Sequence, residues 1–544
     1  MKLLNQLVNE QDKQHLSLEM TDRDPALQVP QLSPVRKNIK SWLISQLAER
    51  LEIETDQIDI QRDFTDYGLN SIEVVNLSGE LENLLGRRLP PTLLLDYPTI
   101  ESLAEYLVED TSEDTGPNVH KKLEDEVEVS TSNPTTETEE IPLEYYRFDL
   151  YPEYLQLQKQ LADINSTGIS SPFFIPQERV NNNTTVIGGR KLVNYATYNY
   201  LGMCGDPFVS NAAKEAINRY GTSVSASRLL SGEKPLHQEL EREIADFIGV
   251  EDSILYVGGH ATNVTTISHL FGQNDLILHD SLSHNSIFQG CLLSGATIIA
   301  FPHNDWEALE KLLRDRRHRY KRVLIAIEGV YSTDGDIPEL PKFIEIKKHY
   351  KAFLMVDEAH SIGTIGKHGR GISEYFGINP NDVDLWMGTL SKSFASCGGY
   401  IAGTKALVEY LKYTSPGFVY SVGISPPDTA SVLAAIRLLK KEPERVAKLQ
   451  EMSRLFLQSA RERGLNTGMS KDSPVIPIIV GESIKSVMLS QSLFKRGINV
   501  PFMFYPSVPQ NAARLRFFIT CNHTEEQILF TIDALAEELS LMGV

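Results

Sequence analysis

Cysteine is scarce in this chain and scattered along it. Cys204, Cys291, Cys397 and Cys521 are the only 4 in 544 residues, and no two stand at CxxC spacing. That excludes a disulfide scaffold and offers no zinc-ligand pattern; the four read as reduced thiols of a cytosolic protein. Long apolar runs are missing too. No stretch approaches the roughly 18 residues that mark a membrane-spanning helix, so no membrane span is expected. The opening MKLLNQLVNEQDKQHL contains acids. It lacks the continuous apolar core and small-residue cleavage site of a secretory signal, and a cytoplasmic protein is expected. Positive charge is in deficit: Lys and Arg number 52 against 72 Asp and Glu, for a net charge of −20. Such a surface repels nucleic acid on average, and no nucleic-acid partner is expected. The string DEAH at 357–360 also occurs as a helicase box, but the upstream GxxxxGK[ST] phosphate loop that reading requires is absent.

What is present divides the chain into parts. Between Glu109 and Glu140 acids abound against only Lys121 and Lys122, with Ser, Thr and Pro filling much of the rest. A segment of this composition cannot bury enough apolar surface to offset the entropy of ordering it, so 109–140 is expected to be a flexible, self-repelling linker. It separates a lead over 1–35 and a small module over 36–108 from everything downstream. In the module, SWLISQLAERLEI and SIEVVNLSGELENLLG carry apolar residues at helical spacing, and TIESLAEYLVE follows with Thr99 as its N-cap. Three or four short helices make a small bundle.

Ser71 stands at the start of one of those helices, in DYGLNSIEVV, where an N-cap serine is an ordinary reading. The stretch also resembles the attachment site of acyl and peptidyl carrier proteins, usually Gly-Xaa-Asp-Ser-Leu, here Gly68-Leu69-Asn70-Ser71-Ile72. LPPTLLLDYPTIESLAEYL is similar to the later helices of such carriers. The resemblance, over about 70 residues, implies a four-helix acyl carrier domain with a 4'-phosphopantetheine arm on Ser71. Asn70 departs from the usual aspartate and removes a negative charge where the modifying transferase docks.

From residue 141 the pattern changes to strands separated by helices. SILYV (253–257), LILH (276–279), TIIAF (297–301), VLIAIE (323–328), AFLMVD (352–357) and DLWMG (384–388) alternate with stretches such as PLHQELEREIADFIG. This order predicts an α/β fold with a mostly parallel central sheet, and ligands gathered beyond the C-terminal ends of its strands. The expected divisions are an N-terminal segment over 141–197, a large domain over 198–430 and a smaller α+β domain over 431–544.

Within GTLSKSFASCGGY (388–400), Lys392 is the only charged residue. Asp357 ends the preceding apolar strand, and His360 follows three residues later. Pyridoxal phosphate gives this trio a common chemistry: a Schiff-base lysine, a carboxylate that keeps the pyridine nitrogen protonated, and a histidine near the phenolic oxygen. Taken singly, each has a bland reading as a surface lysine, a helix cap or a loop donor. Thr389 and Ser391 offer hydroxyls to the phosphate, and Gly258, Gly259, His260 and Ala261 offer backbone N–H groups at a helix start. His284 sits in a polar loop where it can stack on a planar cofactor, and Ser332 is placed to tune the phenolic oxygen. Arg514 and Arg516 fall on one face of a strand. One suits a substrate carboxylate and the other a structural ion pair.

Together these residues, from YNYLG (198–202) and SRLLSGEKPLHQELE (227–241) to ARLRFFITCNHT, resemble the α-oxoamine synthase family of fold-type I enzymes. The resemblance implies His284 as the ring-stacking histidine, Asp357 at the pyridine nitrogen, and His360 and Ser332 near the phenolic oxygen. It implies Thr389 at the phosphate, Lys392 as the Schiff-base lysine, Arg516 at the substrate carboxylate and Asn199 near the substrate. The implied catalytic residues are Lys392, His284 and His360. The implied reaction is decarboxylative condensation of a small amino acid with an acyl thioester, giving an α-aminoketone and carbon dioxide. The carrier module directs the expectation to a carrier-bound acyl group, with an acyl-CoA-dependent synthase or an aminotransferase as alternatives. The expected partners are a second copy of the chain, an acyl-loading enzyme and a phosphopantetheinyl transferase.

Overall fold

The structure is a computed structural model; it describes residues 34–51, 55–62, 64, 77, 81, 97, 99–109, 141–166, 173–503, 508 and 511–543. The chain forms two compact units that divide between Tyr154 and Leu155.

In the first unit, helices Pro34–Leu51 and Ile100–Glu109 are described, with a short turn at Thr55–Gln57. Ile39, Leu43 and Leu47 recur at helical spacing and are buried with Leu77, Leu81, Ile100, Leu103 and Leu107 in one apolar cluster. Thr99 caps its helix as expected. Its Oγ1 accepts the Ser102 N–H at 3.1 Å, while the Ser102 Oγ accepts the Thr99 N–H at 3.2 Å. Ser71, most of SIEVVNLSGELENLLG and the acidic linker from 110 to 140 lie outside the described residues. The four-helix carrier arrangement is therefore not among the features seen; a small helical region is.

In the second unit the first strands form a hairpin of β1 (Thr184–Ile187) and β2 (Arg190–Asn194), after helix Pro152–Ser166. Gly188 and Gly189 join them, both at positive φ (56° and 71°), as a two-residue turn matched to strand twist requires. The main sheet comprises β3 (Asp252–Tyr256), β4 (Leu276–Asp280), β5 (Thr297–Phe301), β6 (Val323–Glu328), β7 (Phe353–Asp357), β8 (Leu385–Thr389) and β9 (Gly399–Gly403), in the order β3-β9-β8-β7-β6-β4-β5. The ladders linking β5, β4, β6, β7 and β8 are parallel; β9 pairs antiparallel with both β8 and β3. Every residue of β6 is buried, which is why VLIAIE reads as a continuous apolar run rather than an alternation. The expected strands are all present. The additional one, β9, has the sequence GYIAG, whose terminal glycines hide it from propensity.

A smaller assembly forms from β10 (Val475–Gly481), β11 (Ile498–Asn499), β12 (Phe502–Met503) and β13 (Ala513–Phe518). β13 lies between β10 and β12, and β11 pairs in parallel with β2, so residues before 198 share a sheet with residues near 500. Helix Pro426–Lys441 buries Val432, Leu433, Ile436 and Leu439 in the core of the main sheet. Packing passes to the smaller core within the next helix, Glu444–Glu462, where Leu449 belongs to the first core and Met452 and Phe456 to the second. Among the described residues no helix is long and apolar enough to cross a membrane.

One buried ion network fixes the start of the main sheet. Arg228 Nη1 contacts Glu241 Oε1 at 2.7 Å, and both side chains are about 3% exposed. Lys412 Nζ reaches the other Glu241 oxygen at 2.9 Å, and the Leu255 N–H of β3 donates to Glu241 Oε1 at 3.2 Å. Glu233 also accepts from Arg228, at 2.6 Å from Nε and 2.9 Å from Nη2, so removing the Glu241 carboxylate leaves the buried guanidinium with one of its two carboxylate partners and Lys412 with none from this network. Glu241→Ala should therefore destabilise this unit by about 3 kcal/mol, read from its urea midpoint. An unchanged midpoint would show that the network contributes nothing.

Candidate active site

The parallel ladder sets the site's frame. Glu328 and Asp357 end β6 and β7 as direct neighbours in register, and Thr389 ends β8 on the other side. Asp357 is 4% exposed. Its Oδ2 accepts from Asn263 Nδ2 at 2.8 Å and its Oδ1 from the Ala359 N–H at 2.9 Å. The other N–H of that amide donates to Ser286 Oγ at 2.9 Å, which lies 2.7 Å from His284 Nδ1. The Ser286 backbone N–H also donates to His284 Nδ1 at 3.2 Å. Nδ1 is thus an acceptor, and His284 carries its proton on Nε2. Burial lowers the His284 pKa, with Asp357 opposing and Lys392, His260 and Arg516 reinforcing the drop.

Glu328 accepts the His284 backbone N–H at 2.6 Å. Burial, and then the adjacent Asp357, hold its carboxyl well above the usual range. His360 is buried at 4% exposure, and its Nδ1 shares a 2.7 Å hydrogen bond with the Tyr200 hydroxyl. Burial, followed by the charges of Lys392, Arg516 and His284, keeps its pKa well below the ordinary 6.5, so the ring is neutral at neutral pH.

Lys392 sits in the loop between β8 and β9, with Nζ 5.5 Å from the ring centroid of Tyr198. Among the described residues none hydrogen-bonds to that amine. Burial brings its pKa from 10.5 down to about 8; Asp357 and Glu328 pull upward and Arg516 downward. An amine free of partners and titrating near neutrality can act as nucleophile and as proton acceptor.

Thr389 Oγ1 lies 2.8 Å from Ser391 Oγ. Gly259 opens helix Gly259–Leu270 against it, and a Cβ at Gly259 would stand 2.7 Å from Thr389 Oγ1. Space is open around Gly258, and His260 is exposed in the first turn. This is a helix N-terminus with free N–H groups beside two hydroxyls, a cradle for phosphate.

The two arginines of β13 separate in role. Arg514 pairs with buried Asp334 at 2.5 Å. Arg516 Nη1 donates to the Ser332 carbonyl at 2.8 Å, Nη2 lies 3.5 Å from the Tyr198 hydroxyl, and Nε is buried with no partner among the described residues. Its guanidinium covers Phe518, 4.6 Å from the ring centroid. Ser332 thus meets Arg516 through its backbone carbonyl. Asn199 does not join the group. Its Oδ1 accepts the Cys204 N–H at 3.0 Å, and its Nδ2 faces the carbonyls of Asn181 and Cys204 at 3.4 Å, so it clamps a local turn. The neighbouring tyrosines 198 and 200 face the lysine and the histidine instead.

The residues fit pyridoxal phosphate. Asp357 would hold the pyridine nitrogen, Thr389 and the Gly258–His260 turn the phosphate, and Lys392 the aldehyde carbon. The buried Asn263 Oδ1 and Arg516 Nε, both without partners among the described residues, mark polar capacity left open around that space.

Comparison with known proteins agrees. The family profile for aminotransferase class I and II matches residues 190–535, and that for a phosphopantetheine attachment site matches 41–107. Serine palmitoyltransferase 3 of Caenorhabditis elegans is 39% identical over 362 residues, covering 64% of this chain and 71% of that protein. The 8-amino-7-oxononanoate synthase of Fervidobacterium nodosum is 38% identical over 351 residues, covering 64% and 88%. The solved Sphingomonas wittichii serine palmitoyltransferase superimposes with a TM-score of 0.69 at 32% identity, over 73% of this chain and 99% of that one. Fold and site therefore define a fold-type I enzyme that uses pyridoxal phosphate. Within that class the chain belongs to the α-oxoamine synthase family and carries an N-terminal phosphopantetheine-attachment domain. Its reaction is of that family's type: an amino acid and an acyl group give an aminoketone and carbon dioxide.

Glu328, Asn263, Ser286, Tyr198 and Tyr200 escaped the sequence reading. Only Glu328 left a usable signal, an acid closing an otherwise apolar strand one position short of a glycine.

Two measurements probe the site. The neutral amine is the nucleophile, so the rate at which apo-protein takes up pyridoxal phosphate should rise with pH and level off, with a midpoint near 8. A rate still climbing through pH 10 would place Lys392 in an ordinary environment. Gly259→Ala forces Thr389 or the helix start to shift and should weaken cofactor affinity about tenfold in equilibrium titration.

Proposed function

We propose that this enzyme condenses a small amino acid with an acyl thioester supplied as acyl-CoA, in the manner of an 8-amino-7-oxononanoate synthase or a serine palmitoyltransferase. The observation that carries the chemistry is Lys392, its amine free of hydrogen-bond partners among the described residues and its pKa lowered to about 8, with buried Asp357 pulling upward on it. The acyl donor follows from the relatives, whose names are those of such synthases and cover most of their own lengths here. When bound, pyridoxal phosphate supplies an electron sink for negative charge at the amino acid's α-carbon.

The chain's residues divide the remaining work. Arg516, with Nε unengaged and Nη1 braced on Ser332, binds the substrate carboxylate. Lys392 Nζ takes the α-proton. His284, fixed with its proton on Nε2, donates to the thioester carbonyl oxygen as charge develops there. His360, neutral and held by Tyr200, donates or accepts at the phenolic oxygen without adding charge. Asp357 keeps the pyridine nitrogen protonated.

A second reading rests on the attachment-site match over 41–107: an acyl group carried on Ser71 and delivered at high effective concentration. Under that reading an acyl-loading enzyme and a phosphopantetheinyl transferase are partners. Resemblance to the family also supports a homodimer.

The deciding experiment follows carbon dioxide and free thiol with glycine, alanine or serine. One arm uses acyl-CoA; the other uses chain whose Ser71 loading is verified by intact mass. Ser71→Ala should turn over acyl-CoA at close to the unaltered rate. If only the loaded chain reacts, the donor is the carrier arm.

A further inference from the structure

Outside the residues assigned to substrate or cofactor, one part-buried titratable group bridges three loops. His303 follows edge strand β5, and its side chain is 13% exposed. Its Nδ1 lies 2.8 Å from Asp280 Oδ1 and its Nε2 2.9 Å from Asp336 Oδ2. Asp280 ends β4 and is fully buried; Asp336, in the loop after β6, is 7% exposed. A carboxylate only accepts, so an imidazole joined to two carboxylates through both ring nitrogens donates from both and is the cation. The two aspartates raise its pKa to about 10 against the opposing effect of burial. Tyr331 meets the ring edge-on at 4.5 Å between centroids.

What the two aspartates hold gives the bridge its consequence. Asp280 Oδ1 also accepts the Leu282 N–H at 2.8 Å, shaping the turn that delivers His284. The Asp336 carbonyl accepts the Tyr331 N–H at 3.1 Å, closing the loop whose Ser332 carbonyl receives Arg516. Asn304 spans the same pair, its backbone N–H donating to Asp280 Oδ2 at 2.8 Å and its side-chain amide to Asp336 Oδ2, so the loop of the candidate carbonyl donor and the loop that braces the candidate carboxylate receptor are pinned by a neutral bridge and by one cation, His303. Without it, two buried carboxylates face each other with no positive charge between them.

We infer that His303 is a positioning residue that sets amino acid affinity by clamping the loops after β4 and β6 through its paired contacts with Asp280 and Asp336. This rests on the assignment of Arg516 to the substrate carboxylate. The two ideas fail differently: unchanged amino acid binding in Arg516→Lys defeats that assignment, whereas weakened binding there beside unchanged binding in His303→Gln defeats the clamp alone.

The test is a charge-rescue cycle in the full chain loaded with pyridoxal phosphate. Visible absorbance titrations give Kd for L-serine, glycine and L-alanine, and the tightest of the three is carried forward. His303→Gln should raise Kd tenfold or more, because the aspartates repel. Adding Asp336→Asn should bring it back to within about threefold of the starting value. A histidine that merely fills space would not be rescued by neutralising a carboxylate, so a loss that persists in the double variant overturns the inference, as does an unchanged Kd. Asp336→Asn alone should raise Kd about threefold, and no change there overturns it even if His303→Gln cannot be purified.

Discussion

The hydrogen bond from Asn263 to Asp357 is the contact on which the rest of the site is arranged. It turns a buried strand-end carboxylate toward the space in front of the sheet and, through the second N–H of the same amide, settles Ser286 and the tautomer of His284. The carboxylate thereby commands a donor it does not touch. The arrangement depends on helix Gly259–Leu270 lying close over the sheet, and this is where small residues matter: the α-carbon of Gly259 is one of the atoms a Cβ on Gly399 would strike.

The site's electrostatics share one logic. Asp357 and Glu328 stand side by side at neighbouring strand ends, and two bare carboxylates so placed in low dielectric are costly. The Glu328 carboxyl is pushed well above its usual range, Lys392 gives up some of its basicity to burial, and burial lowers the pKa of both histidines. The protein meets a ligand carrying a phosphate and an acidic ring proton with its charges already distributed, so less reorganisation is left for the moment of reaction.

The parts legible in the sequence were those whose signal is local. Parallel strands declare themselves as short apolar runs, and Asp357 and His360 are conspicuous because they follow such a run directly. Lys392 stands out because its neighbours are small and uncharged. β9 was not legible: a five-residue stretch bounded by glycines has little strand character, and its place depends on partners some 150 residues away in β3 as well as on nearby β8. Tyr198 and Asn199 illustrate the same limit at side-chain scale. Both are polar and adjacent, and the turn that directs one to Lys392 and folds the other onto Cys204 is set by contacts with Asn181 and Phe518 that no local pattern encodes. The shared sheet of β2 and β11 likewise joins ends of the synthase unit that composition alone would assign to separate segments.

The position of β9 also bears on how the enzyme is made. β3 is an edge strand whose single neighbour in the sheet is β9, and it leads directly into the Gly258–Gly259 turn. During synthesis that turn emerges well over a hundred residues before Gly399–Gly403 exists to tie β3 to β8. The strand that leads into the phosphate end of the site thus enters the sheet only when a late, short insertion fills the gap between β3 and β8. A nascent chain stalled before residue 399 holds the whole parallel ladder from β5 to β8 but no strand to pair with β3, and joining strands so distant in sequence is an intrinsically slow step of folding.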